Sequence, residues 1–165
     1  MVVWVAGLTL LFDQASKLLA RQSLTLGESV PLALPVVQLT LVHNTGAAFG
    51  LFQRGTVVLI IVSVVTCALI IWTLWRSPEK DVTTDATVPE HDRWFSAALA
   101  LVLGGAIGNL IDRMAWGYVI DFIDLRVWPV FNIADSAITV GVSMLLWRMA
   151  RPRCSTSGVG CHRGR

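Results

Sequence analysis

The sequence predicts an all-α membrane protein of four transmembrane helices, and three observations carry that expectation. Hydrophobic residues make up 55% of the 165 and charged residues only 15%, against roughly a quarter charged in soluble domains, and mean hydropathy is +0.66. Four apolar stretches, near residues 1–20, 56–75, 94–111 and 133–150, approach the ~20 residues needed to cross ~30 Å of hydrocarbon. Basic residues fall unevenly between them. The length suits one domain, expected over 1–150, with a basic, disordered tail over 151–165.

The first stretch is interrupted by Asp13 and Lys17. A cleaved signal peptide would want a basic region ahead of the apolar run and a small-residue cleavage site. Nothing basic precedes Lys17, and Asp13 sits inside the run, so a retained span is expected. An acid four residues N-terminal to a base is the favourable order for an intrahelical ion pair. A structural pair explains Asp13 and Lys17 at least as well as a catalytic one.

Residues 36–43 are β-branched and partly alternating, which predicts a short strand. They run into Asn44-Thr45-Gly46-Ala47-Ala48-Phe49-Gly50, a turn of small residues. Such a ribbon on the membrane surface could accept an extended peptide edge to edge. His43 has no partner constellation and reads as an interfacial polar residue rather than a base or ligand.

The second stretch carries no charge from 56 to 75, and Cys67 falls mid-span, where a core role is expected. The polar segment 77–92, punctuated by Pro78 and Pro89, reads as a solvated linker. In the third stretch Ala100, Gly104 and Gly108 recur every four residues and Gly105 widens the strip. Small residues so spaced let another helix approach closely. The same face continues to Asp112, with Asn109 and Arg113 beside it, a polar cluster that packing alone does not call for. The fourth stretch opens Phe131-Asn132-Ile133-Ala134-Asp135-Ser136. Asn132 as N-cap, with Asp135 at the positive end of the helix dipole, accounts for that acid without chemistry.

Four spans put both termini on one side. Arg148, Arg151, Arg153, Arg163 and Arg165 follow the last span and the 76–93 loop adds more basic residues, so the termini are expected in the cytoplasm. Trp72, Trp75, Trp94 and Trp147 then fall at cytoplasmic ends, where such rings sit at headgroup level. Trp116 and Trp128 lie in the second outer segment. By that topology Asp135 shares the outer level with Asp121, set in the apolar Val119-Ile120-Asp121-Phe122-Ile123. Two carboxylates brought together there could share one proton around a water, as aspartic proteases do. One would take the water's proton while the other polarises the scissile carbonyl.

Other classes fit less well. The net charge of +2 is too small to suggest nucleic-acid binding. Cys154, Cys161 and His162 do not make a zinc site, the outer segments hold no ligand cluster, and no metal or cofactor is expected. There is no serine-protease or H-E-x-x-H motif. The alternative is a small proton-coupled transporter, since intramembrane acids often mark ion pathways. That reading would favour acids nearer the bilayer centre and an inverted repeat, and no repeat is visible. A non-enzymatic scaffold would explain the glycines but not the outer carboxylates.

Five segments in order resemble the lipoprotein signal peptidase, or signal peptidase II, family: Asp13-Gln14-Ala15-Ser16-Lys17, Asn44-Thr45-Gly46-Ala47-Ala48-Phe49, Gly104-Gly105-Ala106-Ile107-Gly108-Asn109-Leu110-Ile111-Asp112-Arg113, Val119-Ile120-Asp121-Phe122 and Phe131-Asn132-Ile133-Ala134-Asp135-Ser136. The resemblance implies four transmembrane helices with a small extracytoplasmic β-cradle, in the bacterial inner membrane. It implies a metal-free aspartic endopeptidase, working near the outer leaflet as a monomer among membrane lipids. Its substrates would be prolipoproteins carrying diacylglycerol on a cysteine, cut just before that cysteine. By motif, Asp121 and Asp135 are the catalytic pair. Asn44, Asn109, Arg113 and Asn132 would bind substrate, and Asp13, Lys17 and Asp112 would be supporting polar residues. Asp124 is the substitute should Asp121 be misassigned.

Overall fold

The computed structural model describes residues 1–32, 36–46, 55–76 and 90–150, the last stretch without the side chains of 90–92. The expected turn over 47–50, the 77–89 part of the linker and the basic tail, with Cys154 and Cys161, lie outside the described residues. Four long helices and one small sheet follow in the order α1 (Val2–Ser23), β1 (Ser29–Pro31), β2 (Gln38–Asn44), α2 (Gly55–Arg76), α3 (Glu90–Trp116), β3 (Val119–Asp124) and α4 (Ile133–Ala150). All four helices are long and apolar enough to cross a membrane. At 1.5 Å per residue, a helix of 22 residues such as α1 or α2 spans about 33 Å.

The helices leave much of their apolar surface outward. Leu11, Phe12, Val57, Ile61 and Val62 are all exposed, as side chains facing lipid rather than water would be. Trp4, Trp72, Trp75, Trp94 and Trp147 are exposed too, and chain direction gathers them at one end of the bundle. Trp116 and Trp128, also exposed, belong to the other end.

α3 is the central helix and packs on the other three. Its small residues are the reason. A Cβ on Gly104 would lie 2.6 Å from the Ala6 carbonyl oxygen of α1, and one on Gly105 would lie 2.5 Å from the Ala134 carbonyl oxygen of α4. The two glycines therefore admit two helices at backbone distance on adjacent faces. Cys67 and Ile70 of α2 pack with Leu99, Val102, Leu103 and Ala106 of α3, so Cys67 is core as expected.

α3 runs further than the 94–111 stretch predicted. Asp112 and Arg113 continue the helix, which stops at Gly117. That residue adopts a left-handed φ of 77°, and its N–H returns to the Arg113 carbonyl at 3.0 Å, a helix stop that suits glycine. Two residues later β3 begins.

The sheet is antiparallel in the order β1-β2-β3. The strand expected over 36–43 is present as β2. It is the central strand, however, so along Gln38 and Leu39 both its edges are already paired, by β1 and β3. Docking of a peptide edge to edge on that stretch is therefore corrected. One face of the sheet closes over the end of α1, where Leu41, Ile120 and Phe122 pack with Ala20 and Leu24. β3 carries Asp121 in register opposite Val42. Past β3 the chain turns back, and Phe131 pairs with Ile123, which delivers the next residue, Asn132, beside Asp121.

Candidate active site

Asn132 joins the two acids. It is wholly buried and caps α4: its Oδ1 accepts the Asp135 N–H at 2.9 Å, while Asp135 Oδ2 accepts the Asn132 N–H at 3.3 Å. This reciprocal pair is a capping box, so the cap expected from sequence is realised. The same side chain does more. With Oδ1 committed to a backbone N–H, its amide NH₂ must point the other way, and it donates to Asp121 Oδ1 at 2.7 Å. Asp121 and Asp135 are thus one asparagine apart.

Asn44 completes the setting of Asp121. Its Oδ1 accepts the Gly46 N–H at 2.9 Å, leaving Nδ2 to donate to Asp121 Oδ2 at 2.8 Å. Asn109 of α3 does the same for Asp135, donating to Oδ1 at 2.8 Å. Three asparagines from three elements therefore aim N–H groups at the two carboxylates. Arg113 adds charge without a direct bond. It is half-buried, donates to the Asn109 carbonyl at 3.3 Å, and lies within electrostatic reach of Asp135, Asp121 and Asp112.

Beneath this lies a buried ionic cluster. Lys17 pairs with Asp13 and with Asp112, both at 2.8 Å, and also donates to Asn109 Oδ1 at 3.0 Å. An ammonium has three N–H donors, so each is satisfied. The far oxygen of Asp13 accepts the Ala134 N–H at 2.9 Å, and Asp112 Oδ2 accepts the Ile120 N–H at 3.2 Å. The pair expected within α1 is present, and it also binds α1 to α3, β3 and the first turn of α4. Gln14 was overlooked as a contributor. It donates to Asp112 Oδ1 at 3.1 Å and to the Gly108 carbonyl at 3.3 Å, and its place next to Asp13 in the first motif was the available signal.

The environment of Asp121 favours its protonated form. Burial pushes its carboxyl up to about 7, the charge of Asp135 adds to that, and the bonds from Asn44 and Asn132 and the charge of Lys17 oppose it. Asp124 differs. Its carboxylate sits below the usual range, held by Gln38, by the Arg126 N–H and by Thr40, which makes it a turn-stabilising acid. His43 stacks on Tyr118 at 3.9 Å, and burial and nearby Arg21 hold it below the ordinary histidine range. It is not among the groups around the two acids. Among the described residues, no three His, Cys, Asp or Glu are grouped to hold a metal ion.

This arrangement sits on a chain whose relatives agree with one another. The family described as signal peptidase (SPase) II matches residues 5–151. The chain belongs to the signal peptidase II family. The lipoprotein signal peptidase of Moorella thermoacetica is 45% identical over 148 residues, covering 90% of this chain and 91% of that one. The lipoprotein signal peptidase of Halothermothrix orenii is 36% identical over 154 residues, covering 92% and 98%. The solved structure of a bacterial membrane enzyme at 1.9 Å superposes with a TM-score of 0.77 at 25% identity, covering 91% of this chain and 92% of that one. All five motifs of this signal peptidase II chain fall inside the matched range, and nothing in these likenesses favours a transporter. It is a multi-pass membrane protein, and a protease by family.

Proposed function

We propose that this signal peptidase II chain is an aspartic endopeptidase that removes the signal peptide from diacylglyceryl-modified prolipoproteins, cutting before the lipidated cysteine. The observation that carries the reading is the bridging of Asp121 and Asp135 by Asn132. Both carboxylates accept N–H bonds at each oxygen, so it is the deep burial of Asp121 that tells the two apart, and Asp135 is assigned the ionised role. Asp121, pushed up to about 7, suits the protonated one. Asp135 takes a proton from a water held between them, and the water oxygen attacks the scissile carbonyl carbon. Asp121 donates to the carbonyl oxygen as it gains charge. The proton on Asp135 then passes to the leaving amine as the C–N bond breaks, and Asp121 takes its proton back from the collapsing diol. The products are a free signal-peptide carboxylate and a free cysteine amine, with the dyad in its starting state.

Asn44 and Arg113, both partly accessible, are assigned to the substrate side. Asn109 and Asn132, both buried, are assigned to holding the carboxylates instead of lining the substrate path. The single domain over 1–150 sits in the bacterial inner membrane, acts as a monomer, and keeps both termini in the cytoplasm. The dyad then lies near the outer leaflet, where the diacylglyceryl chains of the substrate remain in lipid.

The test is release of signal peptide by the purified protein from a diacylglyceryl prolipoprotein and from its unlipidated counterpart. Cleavage of the lipidated substrate alone is expected, and equal cleavage of both would contradict the assigned specificity. The same assay has a pH signature. Asp121 holds its proton below about 7 and gives it up above, so release should decline as pH rises through that value. A rate that stays level from about pH 6 to pH 9 would remove the proton from Asp121's role.

A further inference from the structure

Lys17 hydrogen-bonds to neither member of the dyad, yet it decides what one of them receives. Its Nζ has donors only, so the Asn109 atom facing it at 3.0 Å must be the carbonyl oxygen. The Asn109 amide is planar, and its NH₂ is thereby turned to Asp135 Oδ1 at 2.8 Å. With a neutral partner in place of Lys17, Asn109 could flip and present a lone pair to Asp135. Asn132 also donates to Asn109 Oδ1, at 3.1 Å. But its two amide hydrogens serve three acceptors, Asp121 Oδ1 at 2.7 Å and the Ile120 carbonyl at 3.3 Å being the others, so it is a weak anchor for that orientation.

We propose that Lys17 is a positioning residue for the dyad: through Asn109 it keeps a donor on Asp135, so that Asp135 stays the ionised member and the shared proton rests on Asp121. A charged donor polarises the amide it binds and strengthens the bond on its far side. A hydrogen bond given to a carboxylate favours its charged form. The proposal rests on the dyad reading above. Other charged groups also surround Asp135. From α3, Arg113 acts on Asp135 and on Asp121, with Asp112 behind it; β3 contributes Asp121 itself. Asp13 of α1 is spent on Lys17 and the Ala134 N–H. Lys17 also reaches Asp121, as the smallest of the influences on it. Among the described charged groups, Lys17 alone acts on Asp135 through a hydrogen-bonding intermediary whose orientation it dictates.

A purely structural Lys17 would need only its two ion pairs, so the test must separate folding from chemistry. Lys17→Gln combined with Asp13→Asn keeps the net charge of the cluster and removes the directing cation. In detergent, the folded fraction is measured first, then kcat and KM across pH. Since Lys17 does not touch substrate, KM should hold. On the acid side of the profile kcat should fall roughly tenfold or more, the loss shrinking as pH rises, because a carboxylate that loses a hydrogen-bond donor holds its charge less well. A uniform loss with a wild-type pH profile, or no loss, would overturn the proposal. Should the double variant fail to fold, Asn109→Asp still decides. It preserves an acceptor for Lys17 while withdrawing the donor from Asp135, and a wild-type profile there also overturns the relay. Asp121→Asn and Asp135→Asn run alongside. Normal cleavage by either rejects the dyad itself, whereas inactive dyad variants beside wild-type profiles in the other two reject only the role of Lys17.

Discussion

Asp121→Asn and Asp135→Asn are each expected to lower signal-peptide release by roughly a thousandfold or more, the scale on which one member of a catalytic unit fails. An amide can neither take the proton of the attacking water nor exchange one with its neighbour. The double variant should be little worse than either single one, because the two groups act together. Both carboxylates accept N–H bonds at each oxygen, so an Asn in either place sets one NH₂ against another donor. A stability loss of about 1 kcal/mol should accompany each change, too small to unfold a domain of ordinary stability. The release assay is therefore read beside a thermal melt. Asp124→Asn, which loses only turn contacts, should retain release. Near-normal release by either dyad variant at an unchanged melt would end the aspartic assignment.

Gly105→Ala should be among the most damaging single methyl groups added to the bundle. Its Cβ would meet the Ala134 carbonyl oxygen at 2.5 Å and Ile138 Cγ1 at 2.9 Å. Ile138 can rotate, but the carbonyl is backbone, so α4 must retreat from α3. Overpacking of this kind costs about 1–3 kcal/mol, and the upper end is expected here. The retreating residue precedes Asp135, so cleavage should fall along with the melting temperature. Gly7→Ala is the matched control. Nothing lies within 4 Å of a Cβ at Gly7, and replacing a mid-helix glycine there should be neutral or stabilise by about 0.5–1 kcal/mol. Equal melting temperatures for Gly105→Ala and the parent would show that the two helices are not held at the distance described.

The spans were legible because crossing hydrocarbon demands long apolar runs, and α2 meets that demand without a charge from 56 to 75. The Asp13–Lys17 pair was legible because it is local. Its partners were not: Lys17 finds Asp112 and Asn109 only because α1 and α3 cross at Gly104 and Gly108, and spacing within one helix carries no trace of that. β3 was read as an apolar segment and β1 went unnoticed, since strands this short take their identity from the neighbour they pair with. The two acids could be placed at one depth, but their link could not. Asn132 looked like an ordinary cap, and a cap leaves an amide NH₂ whose destination depends on where the Phe131–Ile123 bridge delivers it. The third span was underestimated for a related reason. The apolar run ends at Ile111, and the partners that make Asp112 tolerable inside a helix come from α1 and the sheet.

One bond has a consequence for how the molecule is made. The N–H of Ala134, in the first turn of the last helix, is satisfied by a carboxylate oxygen of Asp13 in the first helix. The ribosome releases α1 earliest and α4 latest, so this N–H of the last helix gains its partner only once α1 and α4 have met. Asp135 gains its place in that same turn. A chain halted between β3 and α4 therefore holds Asp121 without the partner proposed for it. On the proposed dyad, the two carboxylates come together only at the close of assembly, when the first and last helices meet.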